Sequence, residues 1–285
     1  MKKILGLLLA FGMVASVAAA NRVGPVSQYG QLVTGKNANG HGRIYGACNP
    51  TPGHEVSVRG MSLYWSVHSG GTQFYSETAI NKMVSDMKIE IIRIPVGTSE
   101  KCWSGDCDDG YISAPDKQKA LVKNVVDAAV NNDIYVIIDW HSHTANNQVD
   151  KAKEFFSYMA QTYGDLDNVI FEIFNEPEDQ SWDQVKNYAN VIIPEIRKYS
   201  DNLILVGSPK WDQHPEYAIS APVTDSKNNT AYTFHYYAGS HKTNSEGANA
   251  VSAMNAGLSV FVSEWGTGSA DGGGNPADYG NANKT

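Results

Sequence analysis

Two glutamates stand where apolar runs end. "VIFEIFNEP" (169–177) leads a strand-like run into Asn175 and Glu176, with Pro177 locking the exit, and "SVFVSEWG" (259–266) brings Glu264 to the end of a second Val/Phe-rich run. Taken singly, each is a loop carboxylate near a turn, and "NEPEDQSWDQV" does precede a helical pattern whose N-terminus favours a negative charge. A pair is a different matter. If the two run ends face each other, two carboxyl groups flank one space, which is what cleavage of a glycosidic bond needs. One protonates the leaving oxygen; the other attacks the anomeric carbon, at a carboxyl separation of about 5–5.5 Å, or activates water.

Neighbouring residues suggest the roles. Arg93, in "IIRIPV", is a cation inside an apolar run and requires an anionic partner. Placed beside Glu264, it would keep that carboxylate ionised, as a nucleophile must be. Glu176, close to a negative Glu264, would then retain its proton for the leaving group. Asn175 could donate a hydrogen bond to a sugar 2-hydroxyl. Alternation puts Glu172 on the same side of the run as Glu176 but about two layers deeper, a structural carboxylate tied to a buried cation or hydroxyl. His141 and His143 form an H-x-H that invites a zinc reading. On metal-dependent barrel hydrolases such a pair ends the first strand, with more ligands on later ones; here it ends the third. Beyond His235 no ligand set has convincing spacing, so a metal is not expected. Without a metal, His141 is a rim residue satisfied by its neighbours. Trp65, Trp140, Trp211, Trp265 and Tyr237 also close apolar runs, where they suit the flat faces of pyranose rings. Any single one could equally be core packing.

The elements that must position these residues alternate regularly. Seven short apolar runs occur at 56–65, 89–96, 134–141, 169–177, 203–209, 231–238 and 259–266. Between several of them lie helical patterns, such as "KALVKNVVDAAVNN", which sets Leu121, Val122, Val125, Val126 and Ala129 on one face. Strand-then-helix order implies parallel strands, and continuously apolar runs imply burial on both faces. A doubly wound nucleotide-binding sheet would carry a glycine-rich turn after its first strand; "WSVHSGGTQFYSE" has no G-x-G-x-x-G. Polar or aromatic residues at nearly every run end favour instead a (β/α)8 TIM barrel, with its chemistry at the C-terminal rim. The stretch before the first run reads as a hairpin cap. After Gly266 only 19 residues remain, Gly/Asn-rich and without apolar period. An eighth strand with its flanking helices needs roughly forty, so the barrel is expected to stop before strand 8.

Bulk properties narrow the class. "MKKILGLLLAFGMVASVAAA" has a basic start, a short apolar centre and an A-x-A end, the pattern of a signal peptide cut after Ala20 rather than a membrane anchor. It leaves residues 21–285 as one exported domain, secreted or periplasmic. Losing Lys2 and Lys3 takes the formal charge from −8 to −10, the opposite of a nucleic-acid binder's footprint. Three cysteines are too few for a disulfide scaffold. Cys102 and Cys107 in "CWSGDC" could close a small loop or remain free thiols, and Cys48 has no evident partner.

In order along the chain, "GMSLYW", "IIRIPV", "VIIDWH", "FEIFNEP", "FHYYAGSH" and "VFVSEWG" resemble glycoside hydrolase family five, the cellulase family A, and most nearly its bacterial endo-β-1,4-glucanases. The likeness runs from about Gln31 to Gly268. It implies a (β/α)8 barrel and a retaining double displacement on β-1,4-glucan, without cofactor; a monomer is expected. By position it makes Glu176 the acid/base and Glu264 the nucleophile, with Arg93, His141, Asn175, His235 and Tyr237 in support. Tyr237 contacts the nucleophile in that scheme, and Trp211 is a sugar-stacking residue. The family also has a Trp at the end of strand eight, beyond the last residue here. Mannanases and xylanases of the same fold, and a glucan-binding protein that does not cut, are the alternatives.

Overall fold

The computed structural model describes residues 23–49, 54–99 and 109–269. The proposed leader, the "CWSGDC" cysteines and the Gly/Asn-rich tail from residue 270 on lie outside them. Cys48 is exposed and free.

Strands β1 (Leu32–Lys36) and β2 (Gly42–Gly46) form an antiparallel hairpin. The other strands build one parallel sheet in chain order: β3 (Gly60–Ser62), β4 (Ile91–Gly97), β5 (Tyr135–His141), β6 (Val169–Glu172), β7 (Ile204–Val206), β8 (Thr230–Tyr237) and β9 (Val260–Gly266). Helices α1 (Glu77–Lys82), α2 (Pro115–Asn131), α3 (Val149–Tyr163), α4 (Trp182–Arg197) and α5 (Glu246–Asn255) cross between them. The sheet is a nearly closed α/β barrel with the seven strands counted in the sequence. Among the described residues β3 and β9 do not pair with each other, and a cavity of about 570 Å³ lined by Gly60–Ser62 and Phe261–Trp265 lies between them.

Strand alternation divides the apolar residues between two cores. Ile92, Ile94 and Val96 of β4, and Val136, Ile138 and Trp140 of β5, pack outward against the helices together with Val122, Val125 and Val126 of α2. Ile91, Tyr135, Ile137, Ile170, Leu205 and Ala231 point inward and are plugged from below by Leu32 and Ile44 of the hairpin, which is the cap expected there. The interior is therefore apolar at its floor. Charged residues begin one layer higher, at Arg93, Asp139 and Glu172, all buried.

The sequence runs overestimate β6. Its ladder ends at Glu172, and the chain continues through Ile173 and Phe174 in extended but irregular form. Alternation also breaks there. Phe174, expected on the side of Glu172, instead packs on Tyr188 of α4 with ring centroids 5.4 Å apart. Asn175 and Glu176 are both left facing the mouth. Gly207, just after β7, permits this departure: a Cβ there would come within 2.6 Å of the Phe174 carbonyl oxygen and 2.9 Å of Pro177 Cδ.

Candidate active site

Arg93 rises from β4 into the barrel and is 1% exposed. Its Nε donates to Glu172 Oε2 at 2.6 Å, one terminal nitrogen to Glu264 Oε2 at 2.8 Å, and the other to Asn175 Oδ1 at 2.7 Å, with Asp139 Oδ2 at 2.9 Å from that same nitrogen. A buried guanidinium is tolerated because its planar fork is matched on every side. The arrangement also orients Asn175. Since Oδ1 accepts from Arg93, the amide NH2 is the group left to donate elsewhere.

Glu264 comes from β9, whose pairing with β8 shifts register. Thr233 faces Phe261 but His235 faces Glu264, so β9 carries one extra residue, a β-bulge. The bulge turns two successive side chains, Ser263 and Glu264, toward the interior. Besides Arg93, Glu264 accepts a hydrogen bond from the Tyr237 hydroxyl. Burial would raise its pKa, but His235, Arg93 and the Tyr237 hydrogen bond outweigh this and hold it at about 2. The Tyr237 hydroxyl is pushed far up by burial and by Glu264, so it stays a donor.

Glu176 reaches the same space from the loop after β6. One of its carboxylate oxygens, a ring nitrogen of His235 and a carboxylate oxygen of Glu264 lie within 4.8 Å of one another. Those three donors could be imagined around a metal ion, but each is already engaged. Glu264 is held by Arg93 and Tyr237, while the two ring nitrogens of His235 meet Glu176 Oε1 and Ser263 Oγ, both at 2.8 Å. The H-x-H histidines are likewise separated by their partners: His141 Nδ1 is 2.7 Å from Asp139 Oδ2, and His143 Nδ1 is 3.2 Å from Glu178 Oε1. With Nδ1 donating to Asp139, His141 turns its Nε2, a buried atom with no hydrogen-bond partner among the described residues, away from that carboxylate. Glu172 accepts from Arg93 and from the Ser263 hydroxyl. Burial opposes its ionisation, and Arg93, His235 and Ser263 prevail, so its pKa is lowered.

The tryptophans part company. Trp65 tilts against His141 at 4.9 Å, and the two line a cavity of about 180 Å³ with Val67, Thr98, His143 and Gln148. Trp211 is 42% exposed on a turn where Lys210, Trp211 and Asp212 all have φ between 54° and 59°. Left-handed backbone costs an L-residue about 1–2 kcal/mol, and three in a row need an anchor. It is supplied by the Trp211 N–H to the Pro177 carbonyl at 2.8 Å, next to Glu176. Trp140 is not a rim residue. It is fully buried among Tyr111, Phe155 and Phe156, with its indole N–H on Gln148, because it sits on the opposite face of β5 from His141. Nor does Trp265 share the face of β9 that carries Glu264. Its ring stacks on Tyr236 at 6.1 Å, on the outer side of the wall.

This geometry can be set beside known proteins. The model of the cellulase family, glycosyl hydrolase family 5, matches residues 50–283. The chain belongs to glycosyl hydrolase family 5. Endoglucanase Z of Dickeya dadantii (strain 3937) is 44% identical to it over 221 residues, 76% of this chain and 50% of that one. Endoglucanase A of Butyrivibrio fibrisolvens is 38% identical over 239 residues, 80% of this chain and 53% of that one. The family 5 chain thus spans about half the length of the curated relatives it matches. A variant of the catalytic domain of Thermobifida fusca endoglucanase Cel5A, crystallised with cellotetraose, superposes with a TM-score of 0.74 at 29% identity, over 88% of this chain and 79% of that one.

Three site residues of this family 5 chain escape the sequence reading. Asp139 was open to the argument applied to Arg93, a charge inside an apolar run. Ser263 and Asp212 carry no such signal. Their positions depend on a bulge and on a left-handed turn that local pattern does not reveal.

Proposed function

We propose that this chain is the catalytic part of an exported endo-β-1,4-glucanase that works with retention of configuration. The observation that carries the reading is the approach of Glu176 and Glu264 to within 4.8 Å, oxygen to oxygen, across one barrel mouth. That spacing suits direct attack by one carboxylate and is too short for the 6.5–9.5 Å, roughly, that an intervening water requires. In the first step Glu264 attacks the anomeric carbon while Glu176 gives its proton to the departing glycosidic oxygen. In the second, Glu176 takes a proton from water, whose oxygen displaces Glu264 from the sugar. Two inversions return the original configuration, and both carboxyl groups end as they began.

The surrounding residues fit these steps. Arg93 and Tyr237 keep Glu264 charged and aimed, and the free amide of Asn175 is available to the sugar 2-hydroxyl. Among the described residues, half-buried Trp65 and exposed Trp211 are the tryptophans placed where pyranose rings could stack. The cellotetraose bound by the Thermobifida fusca domain supports a β-1,4-glucan over mannan or xylan as substrate. Export rests on the leader-like first twenty residues, and no helix among the described residues is long and apolar enough to cross a membrane.

The test is hydrolysis of cellotetraose followed by proton NMR, with mannan and xylan oligosaccharides alongside. The β-anomer should appear first, and Glu264→Gln should reduce turnover by at least about a thousandfold, the scale of losing a nucleophile. Initial release of the α-anomer, or turnover that survives the substitution, would refute the assignment.

A further inference from the structure

His235 stands at the meeting point of four carboxylates. Its Nδ1 faces Glu176 Oε1 at 2.8 Å; its Nε2 faces Ser263 Oγ at 2.8 Å, Asp212 Oδ2 at 3.5 Å and Glu172 Oε1 at 3.8 Å. Glu264 lies opposite it in the β8–β9 ladder. The ring is 1% exposed, and neither Asp212 nor Glu172 meets solvent.

Hydrogen positions follow from the chemistry of these partners. Ser263 has one hydrogen, and the ionised Glu172 claims it. Ser263 Oγ therefore offers His235 a lone pair, and Nε2 must carry a hydrogen. A single proton is then left for the line between Nδ1 and Glu176 Oε1. It sits either on the ring, giving an imidazolium and a carboxylate, or on Glu176, giving a neutral pair.

Asp212 watches this pair from outside. It does not bond to Glu176. Its Oδ1 accepts from the Ser208 N–H, and the left-handed turn presents Oδ2, buried and without a hydrogen-bond partner among the described residues, to the His235 ring. We propose that Asp212 is a positioning residue for the proton shared by His235 and Glu176, its negative charge retaining that proton to higher pH. This rests on the reading of Glu176 as the acid/base.

The sign follows from charge. When the pair loses its last proton, Glu176 is left anionic beside a neutral ring, close to Asp212, Glu172 and Glu264. An ionised Asp212 opposes that loss, as do Glu172 and Glu264; burial of the ring, the Arg93 cation and a protonated His143, whose Nδ1 is 3.9 Å from Glu176 Oε2, favour it. Burial pulls the His235 pKa down, but Asp212, Glu172, Glu176 and Glu264 carry it well above the usual histidine range. Asp212 is itself pushed up, by burial and by Glu176 and Glu172, against the pull of His235. Once ionised, it holds the pair's proton in place. A charge at this distance moves a partner's titration by about 1–3 pH units.

The experiment pairs a ring titration with a pH–rate profile. The ring nitrogens of His235 are followed by NMR in the 15N-labelled chain and in Asp212→Asn and Asp212→Ser, the smaller serine guarding against a variant that does not fold. In parallel, kcat/KM on cellotetraose is measured across pH. The wild-type ring should carry a hydrogen on Nε2. In the variants the ring midpoint and the alkaline limb of kcat/KM should both fall by about one unit or more, with KM little changed. An unprotonated wild-type Nε2, or a midpoint and limb that stay put in the variants, would overturn the proposal. A wild-type chain that leaves cellotetraose intact would instead defeat the glucanase reading, and the ring titration would still decide the role of Asp212.

Discussion

Replacing Arg93 with lysine separates the charge of this residue from its shape. The guanidinium holds four partners, Glu172, Glu264, Asn175 and Asp139, at 2.6–2.9 Å from three nitrogens spread over a plane. An ammonium keeps the charge but concentrates its donors on one atom, which can satisfy about two of the four. Each charge-assisted bond lost costs about 1.5–3 kcal/mol, so Arg93→Lys should destabilise the fold by about 3–6 kcal/mol. That is a large part of the 5–15 kcal/mol or so that a domain possesses. If the bond lost to Glu264 or Asn175 is also one needed in the transition state, kcat/KM falls by about 10- to 150-fold. Urea unfolding and steady-state hydrolysis of cellotetraose read the two effects separately. A lysine variant with the wild-type unfolding midpoint and rate would show that positive charge alone suffices, and the argument from the fork would be wrong. Loss of stability with an unchanged rate would make Arg93 purely structural.

Two further predictions follow from the same geometry. Glu264 is held at about 2 in the fold, below its ordinary 4.5. As pH falls below 4.5 the unfolded chain takes up a proton that the native one refuses, and stability of roughly 3 kcal/mol is lost by about pH 2. Urea melts at a series of pH values should therefore show a shallower decline through this window for Glu264→Gln, and an identical slope would contradict the lowered pKa. Trp140→Ala should cost about 3–5 kcal/mol of stability by leaving a cavity against Phe155 and Phe156. KM for cellotetraose should not change, whereas a raised KM would return Trp140 to the rim.

Much of this protein could be read locally. Apolar runs without alternation implied strands buried on both faces, and their alternation with helical patterns implied a parallel barrel. A lone arginine in such a run required anions around it. Even the burial of Trp140 was within reach, since a period of two separates it from His141 on β5. The rest depended on closure of the sheet. Arg93 and Glu264 are 171 positions apart, and nothing near either one states that Asp139 and Glu172 share the same guanidinium. Ser263 and Glu264 both face inward only because β9 carries a bulge where it pairs with β8. Asp212 reaches His235 only through three left-handed residues anchored to the loop that bears Glu176. Strand and helix follow from side-chain periodicity over a few residues, so the sequence alone determined the elements and the ends from which chemistry would be drawn. Which charges meet, and which nitrogen carries a proton, is set by contacts between distant strands, and those exist only once the barrel has curled around its floor.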